Sequence, residues 1–540
     1  MSRLVDGSDV EAALGREIRR LGSWLGPRRA SLVVGLVLLA IYTLTVNAWV
    51  SEDAFISLRS VEQVHAGNGP RWNPHERVQA YTHPLWFWLL CLARLAIPQP
   101  LFAALALGVA CTSAAMVLLY RDVARERGTL AAFLAILAFL GSKSIVDYAT
   151  SGLENSLSYL LLIVVLTRAR RWYLGGWRAV DWSVAVAGMF LLATNRLDTL
   201  TLTLPLGVAL VASRCGRAGR LGTLVATLVG SLPLLASLAF SLVYYGMLLP
   251  NTAYATVVYG PGQLAKLASG VSYLWVSGVF DVLGAGLVAC GVVAARRWEP
   301  LWRACGLGVV LNLVYIVIVG GDFMTGRFLT LAALIGLFVL VHRMGERGAA
   351  RLALGLGLVA VASPFHPWNP FADRHAGASS LGVVDERAFY SEHATPETCV
   401  VALLASGECP DHPWLLDGKK FAESEESIAL TRNVGFFGWR AGVDKIVVDE
   451  LGLTDPLLAR MPPRESTGSR SGHVLRQIPQ GYLETLVEGE GHIADPDLRR
   501  YYEVLGILTR DPVFSPARLR TVVDFQLGRY DHLLEGVSRP

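Results

Sequence analysis

Eleven apolar runs between residues 31 and 363 leave this chain one broad solution, a set of helices packed inside a bilayer. They fall at 31–50, 101–120, 129–141, 153–167, 180–194, 198–213, 221–245, 272–295, 301–320, 327–342 and 351–363. A run of this kind carries backbone polar groups into hydrocarbon, and a helix satisfies all of them within the segment. With 53% hydrophobic residues, 17% charged residues and a mean hydropathy of +0.44, the composition is that of a polytopic membrane protein. The net charge of +4, from 48 basic and 44 acidic residues, is too small for a nucleic-acid binder.

The basic residues cluster between the runs and set the topology. Arg16, Arg19, Arg20, Arg28 and Arg29 precede the first run, so residues 1–30 are expected in the cytoplasm and the first span is expected to stay uncleaved. The inner loops then hold Arg121 to Arg127, the Arg168/Arg170/Arg171 cluster, Arg214 to Arg220, Arg296 with Arg297 and Arg303, and Arg343 to Arg351. Odd parity places the C-terminus outside. This register requires the Trp-rich stretch Leu85 to Ile97 to lie in the interface, with Trp86 and Trp88 at headgroup depth.

Residues 31–363 thus form the membrane domain, with a first outer loop at 51–100, and residues 364–540 read as an outer soluble α/β-type domain containing strand-like runs such as Lys445 to Asp449. Its only cysteines are Cys399 and Cys409, which an oxidising exterior would permit to pair. There is no Walker loop, no dinucleotide-type glycine motif and no Gly-x-Ser-x-Gly. His65 and His83 stand in no metal-ligand pattern, so no metal and no cofactor is expected.

The outer face carries the chemistry. Glu52 and Asp53 follow the first span directly, and carboxylates at the lip of a bilayer are costly unless they serve a site. Ser51 is a good N-cap, so both acids fall in the first turn of a helix. Glu154, the Arg196/Asp198 pair, Asn251 and the Gly320-Gly321-Asp322 to Arg327 turn occupy the other outer loops, and Tyr81 and His83 lead into the interfacial helix. Nucleotide sugars are confined to the cytoplasm, so a sugar transferase working outside needs a lipid-linked phosphosugar. Such a reaction needs a carboxylate as general base and cations for the departing phosphate. Arg327 beside its flexible turn, with Arg196, suits the second task.

The string Glu52-Asp53-Ala54-Phe55-Ile56-Ser57-Leu58-Arg59, followed by Trp72-Asn73-Pro74 and Tyr81-Thr82-His83-Pro84-Leu85-Trp86, resembles the first outer loop of the mycobacterial-type terminal β-(1→2)-arabinofuranosyltransferases. The likeness continues through Ser151 to Glu154, Asn195 to Asp198, Leu249 to Tyr254, Gly320 to Met324, Val448 to Asp455 and Gly472-His473. It implies a GT-C glycosyltransferase fold, a polyprenyl-phospho-arabinofuranose donor, a glycan or protein acceptor and no nucleic acid. It also implies a bacterial inner membrane location, with the C-terminal domain in the periplasm. The family's paired acids fall on Glu52 and Asp53, and the family commonly shows two aspartates, so Glu52 is a departure.

On this reading Asp53 is the base, with Glu52 supporting it. Arg327, Arg196, Arg59 and Asp322 bind the donor phosphate, while His83, Tyr81, Glu154, Asp198, Asn251, Tyr254 and His473 support the site or the acceptor. A GT-C transferase of another sugar, or one with a protein acceptor such as pilin, would use the same parts. A lipid or sugar transporter would also place charges in membrane cavities, but no matched halves are seen. A structural partner in a cell-envelope complex is the third class. Single cysteines at positions 53, 154, 251, 322 and 450 are expected to react with a membrane-impermeant thiol reagent from outside, and those at 125, 217 and 347 are not. Labelling of position 125 from outside would mean that Leu85 to Ile97 spans.

Overall fold

The computed structural model describes residues 31–536, apart from 177, 216–219, 298, 369–380, 407–408, 410–411, 465–471 and 490. The basic leader and part of the third inner loop lie outside the described residues. The molecule is mainly helical and polytopic, the architecture expected from the sequence.

The membrane part runs α1 (Ser31–Val46), α2 (Glu52–His65), α3 (Pro84–Ala96), α4 (Pro100–Arg127), α5 (Thr129–Gly141), α6 (Lys143–Asp147), α7 (Asn155–Arg171) and α8 (Ala179–Asn195). It continues through α9 (Leu200–Cys215), α10 (Arg220–Phe240), the single turn α11 (Asn251–Ala253), α12 (Gln263–Phe280), α13 (Val282–Arg297), α14 (Pro300–Val319), α15 (Thr330–Arg343) and α16 (Glu346–Ala362). Among the described residues, three helical stretches are long and apolar enough to cross a bilayer: Pro100–Arg127, Leu221–Tyr245 and Pro300–Val319. The other expected spans correspond to shorter helices.

Two expectations change in detail. The run 272–295 is not one straight helix: α12 and α13 meet at a bend of 119°. Asp281 sits in that bend, 5% exposed, where its carboxylate accepts from Ser142 Oγ at 2.6 Å and the Ser144 amide at 2.9 Å, so the break is pinned to the start of α6. The stretch Leu85 to Ile97 does form a helix of only 13 residues, about 20 Å at 1.5 Å per residue and too short for a core of roughly 30 Å. Trp88 is exposed, but Trp86 is fully buried and donates from its indole N–H to the Gly152 carbonyl at 2.8 Å, so it pins α3 to a neighbouring loop instead of anchoring in headgroups.

The C-terminal part is more helical than its strand-like runs suggested. It contains α17 (Glu386–Tyr390), α18 (Pro396–Ser406), α19 (Pro413–Glu423), α20 (Val434–Arg440), α21 (Tyr482–Glu488), α22 (Pro496–Arg510) and α23 (Pro516–Gln526). Among the described residues the only sheet pairs β1 (Ile428–Thr431) with β2 (Ile446–Asp449) in parallel, Ile428 opposite Ile446, with α20 as the crossover between them. Cys399 and Cys409 are disulfide-bonded, with Cα atoms 5.0 Å apart.

This part shares its core with the first outer loop. Phe55 of α2 packs edge-on against Phe436 of α20, and the Val50 amide donates to the Ala394 carbonyl at 2.9 Å. Asn73 pairs with both polar groups of Val447 in β2, its Oδ1 accepting at 3.0 Å and its Nδ2 donating at 3.2 Å. Lys143 bridges Asp147 at 2.5 Å and Asp385 at 2.9 Å, and Arg387 reaches back to Asp147 at 2.8 Å. Charges buried in such a closed set satisfy one another and fix the relation of the two parts.

Arg59 belongs to this seam. It is 1% exposed, lies over the Trp72 ring, and donates to the carbonyls of Trp72 at 3.1 Å, Lys445 at 2.7 Å and Gly438. Positions 53 and 450 are partly exposed and 125 is exposed, whereas Glu154, Asn251 and Asp322 are buried, so among these six thiol labelling can test the topology only at 53, 125 and 450. Arg59→Ala strands three buried carbonyls and is expected to lower stability by about 3 kcal/mol or more, read by a thermal melt. A melt unchanged from wild type would contradict this structural role.

Candidate active site

Helix α2 places its first two acids on different tasks. Ser51 is fully buried at the N-cap, and the next residue, Glu52, turns toward the C-terminal part, where its Oε1 accepts from the amides of Gly435 at 2.5 Å and Phe436 at 3.1 Å. These are first-turn amides of α20, so a carboxylate meets the positive end of a helix. Only glycine allows the approach, because a Cβ at Gly435 would stand 2.0 Å from the Glu52 carbonyl oxygen. Burial still pushes the Glu52 carboxyl above its ordinary range, with Asp53 adding repulsion and the two amides opposing it.

Asp53 faces the other way, into a cavity of about 370 Å³ between the outer ends of the membrane helices and the C-terminal part. Ser57, one helical turn on, lines the same cavity, as expected for an i, i+4 pair. The polar lining is completed by His83, Arg196, Asp198, Asp322, Arg327 and His473, and the apolar side by residues such as Tyr315, Val319, Phe328 and Val257. Burial raises the Asp53 carboxyl as well; Arg327 opposes the shift, and Asp322 and Glu154 reinforce it. A carboxylate so placed is a stronger base than an exposed one.

The arginines are assembled around Glu154, which is 0% exposed at the N-cap of α7. Arg196 donates to Glu154 Oε1 at 2.8 Å and takes Asp198 in a fork of two 2.8 Å bonds. Arg327 reaches Glu154 at 3.2 Å and Asp322 at 3.5 Å, and its buried Nε has no acceptor. The turn before it needs glycine: Gly326 has φ +72°, and a Cβ there would lie 2.1 Å from Ser144 Oγ. Both guanidinium groups are thus held by acids while lining the cavity, and Arg327 keeps one buried N–H without an acceptor.

The remaining predicted residues divide cleanly. His83 and His473 line the cavity, His473 edge-on to Phe323. Arg59 does not: it is spent in the seam, so the structure gives it no contact with a donor. Tyr81 stacks on Phe87 and bonds Tyr245 at 2.9 Å, Asn251 clips the carbonyls of Gly452, Leu453 and Asp455, and Tyr254 lies under the Arg460 guanidinium. These three are supports outside the cavity wall. Ser57 was missed by the sequence reading, although its place four residues after Asp53 on one helix was a usable signal. Among the described residues no group of three or more His, Cys, Asp or Glu side chains is arranged to hold a metal.

A raised carboxylate, a guanidinium and an apolar wall around one cavity are the parts that a group transferase acting beside an anion needs. Over most of its length the chain resembles the terminal β-(1→2)-arabinofuranosyltransferases. It is 28% identical over 509 residues to that of Mycobacterium tuberculosis, covering 76% of this chain and 78% of that protein, and 28% identical to that of Corynebacterium glutamicum, covering 79% and 72%. No family model matches the chain. Among solved structures, ArnT from Cupriavidus metallidurans bound to undecaprenyl phosphate superposes with TM-score 0.49 at 14% identity, covering 80% of this chain and 88% of that one. An Archaeoglobus fulgidus oligosaccharyltransferase tethered to an acceptor peptide gives TM-score 0.41 at 11% identity, covering 80% and 65%.

If Asp53 works as a base, protonation stops it. Because its folded pKa is raised, kcat/KM is expected to fall on acidification through a limb displaced above the ordinary aspartate value of about 4. Asp322→Asn removes one of the charges that raise it and should move that limb to lower pH. A limb at the ordinary value, indifferent to Asp322, would take the base away from Asp53.

Proposed function

We propose that this chain is a GT-C glycosyltransferase that moves a sugar, D-arabinofuranose by its likeness to the arabinofuranosyltransferases, from a polyprenyl phosphate to an acceptor hydroxyl on the outer face of the membrane. The observation that carries the reading is the pairing, in one cavity, of the Asp53 carboxylate with the Arg327 guanidinium. The first provides a proton acceptor and the second a seat for a phosphate oxygen.

The reaction follows from these places. Asp53 takes the proton of the acceptor hydroxyl as its oxygen attacks the anomeric carbon of the donor sugar. The bond from that carbon to the phosphate oxygen breaks, and its electron pair stays on the polyprenyl phosphate. The phosphate gains negative charge in the transition state, so cations beside it stabilise that state more than the ground state. Arg327 supplies the direct contact, Arg196 acts through the shared Glu154, and the apolar wall formed by Tyr315 and Val319 suits the prenyl end. The disulfide and the arginine-rich inner loops support an inner-membrane orientation with the N-terminus in the cytoplasm and residues 364–540 in the periplasm.

The test is transfer by the purified protein from radiolabelled polyprenyl-phospho-arabinose to candidate glycan, lipid-linked or protein acceptors. Asp53→Asn is expected to lose roughly 10²- to 10⁴-fold in rate with donor binding kept. Arg327→Lys keeps a charge but loses the fork and should raise the donor KM and lower kcat. Wild-type transfer by Asp53→Asn, or wild-type donor affinity in Arg327→Ala, would contradict the assignment.

A further inference from the structure

Beside Asp53 stands a chain of three buried groups, two of which, Ser57 and His83, the transfer step does not use. Ser57 Oγ lies 2.9 Å from His83 Nε2, and His83 Nδ1 lies 3.0 Å from Glu154 Oε2. Their exposures are 2%, 5% and 0%, yet Ser57 and His83 both line the cavity. An ordinary helix serine returns its hydroxyl to the carbonyl four residues back, as Ser60 does to Ile56 at 3.5 Å. Ser57 is instead paired with an imidazole. Pro84 at the first position of α3 leaves His83 as the N-cap residue, outside the helix, where its ring can reach both partners.

The proton positions follow from the chemistry. Glu154 is gripped by two guanidinium groups, so it is a carboxylate and only accepts. His83 Nδ1 therefore carries a hydrogen in either charge state. When the imidazole is neutral, Nε2 accepts the Ser57 hydroxyl hydrogen, and Ser57 shows the cavity only lone pairs. When it is charged, Nε2 donates, and the Ser57 hydrogen is free to point into the cavity.

The charged groups around His83 decide which state a ligand selects. On the cation side are Arg196 and Arg327, and on the acid side Asp53, Glu154, Asp198 and Asp322; Thr82 Oγ1, 3.4 Å from Nδ1, is neutral. Two fixed positive charges face four carboxyls. An arriving phosphate adds negative charge to this set, and a proton taken from solvent offsets it.

We propose that Ser57, His83 and Glu154 form a proton-linked phosphate sensor: the donor phosphate brings a solvent proton onto His83, which turns the Ser57 hydroxyl into a hydrogen-bond donor to that phosphate. Ser57 is then a phosphate ligand, and His83 and Glu154 are positioning residues. The inference rests on the lipid-phosphate reading above.

The experiment is calorimetric titration of the detergent-solubilised full chain with polyprenyl-phospho-arabinose, a phosphodiester whose single charge is fixed near neutral pH, in buffers of different ionisation enthalpy, which counts protons taken up by the protein. Wild type should take up protons and bind more weakly as pH rises. Ser57→Ala, which changes one atom in a helix, should bind roughly 10- to 100-fold more weakly while keeping most of the uptake, and Ser57→Thr should restore affinity. His83→Gln should bind with reduced proton uptake and a flatter pH dependence. Equal affinity in Ser57→Ala, or unchanged uptake in His83→Gln, overturns the sensor while leaving the transferase reading intact. Absence of binding by wild type would overturn that reading itself.

Discussion

The end of the helical bundle that meets the C-terminal part is organised by one buried carboxylate. Glu154 has no exposure, and a lone charge there would cost several kcal/mol. It is tolerated because Arg196, Arg327 and His83 converge on it from three separate loops. The helix starts of α3 and α7, the α8–α9 junction and the glycine turn ahead of α15 are thereby tied to a common point. Breaking one partner leaves the others uncompensated, so the group acts as a unit and its members should not be additive on mutation. It also holds two cations at a membrane depth where they would otherwise be expensive, ready for an anion.

Around that unit the paired acids of α2 separate. Glu52 is consumed in docking the C-terminal part, through backbone amides at the start of α20. Asp53, on the next residue and so turned by about 100° around the helix axis, looks into the cavity. The departure from two aspartates falls at the position that makes a long structural reach, where an extra methylene is useful. The C-terminal part is thus no loose appendage: it fixes the orientation of the helix that carries Asp53, and it supplies His473 to the cavity wall.

Much of this was readable from residues in order. Acids directly after a span, arginines beside almost loopless turns and glycines before Arg327 all pointed to the outer face, because polar groups at that depth need a reason. What failed to show was direction. Arg59 lies in the same helical turn sequence as Asp53, but six residues on it faces the seam, where three carbonyls from distant segments receive it. Tyr81 and Asn251 likewise find partners far along the chain. The break at Asp281 escaped because it contains no proline and the run around this one acid is otherwise apolar; Ser142 and Ser144 at the start of α6 satisfy the acid there. Ser57 was hidden by its chemistry, since a serine in a helix is ordinary until an imidazole is seen beside it.

The central claim, that this cavity seats a lipid phosphate between the arginine unit and Asp53, is tested most directly by cryo-electron microscopy of the full chain with bound undecaprenyl phosphate. The account predicts phosphate density within hydrogen-bond reach of the Arg327 guanidinium, with the prenyl chain leaving past Tyr315 and Val319. A phosphate seated elsewhere, for instance at the mouth of the apolar groove between α1 and α4, with the Asp53 cavity empty, would contradict it.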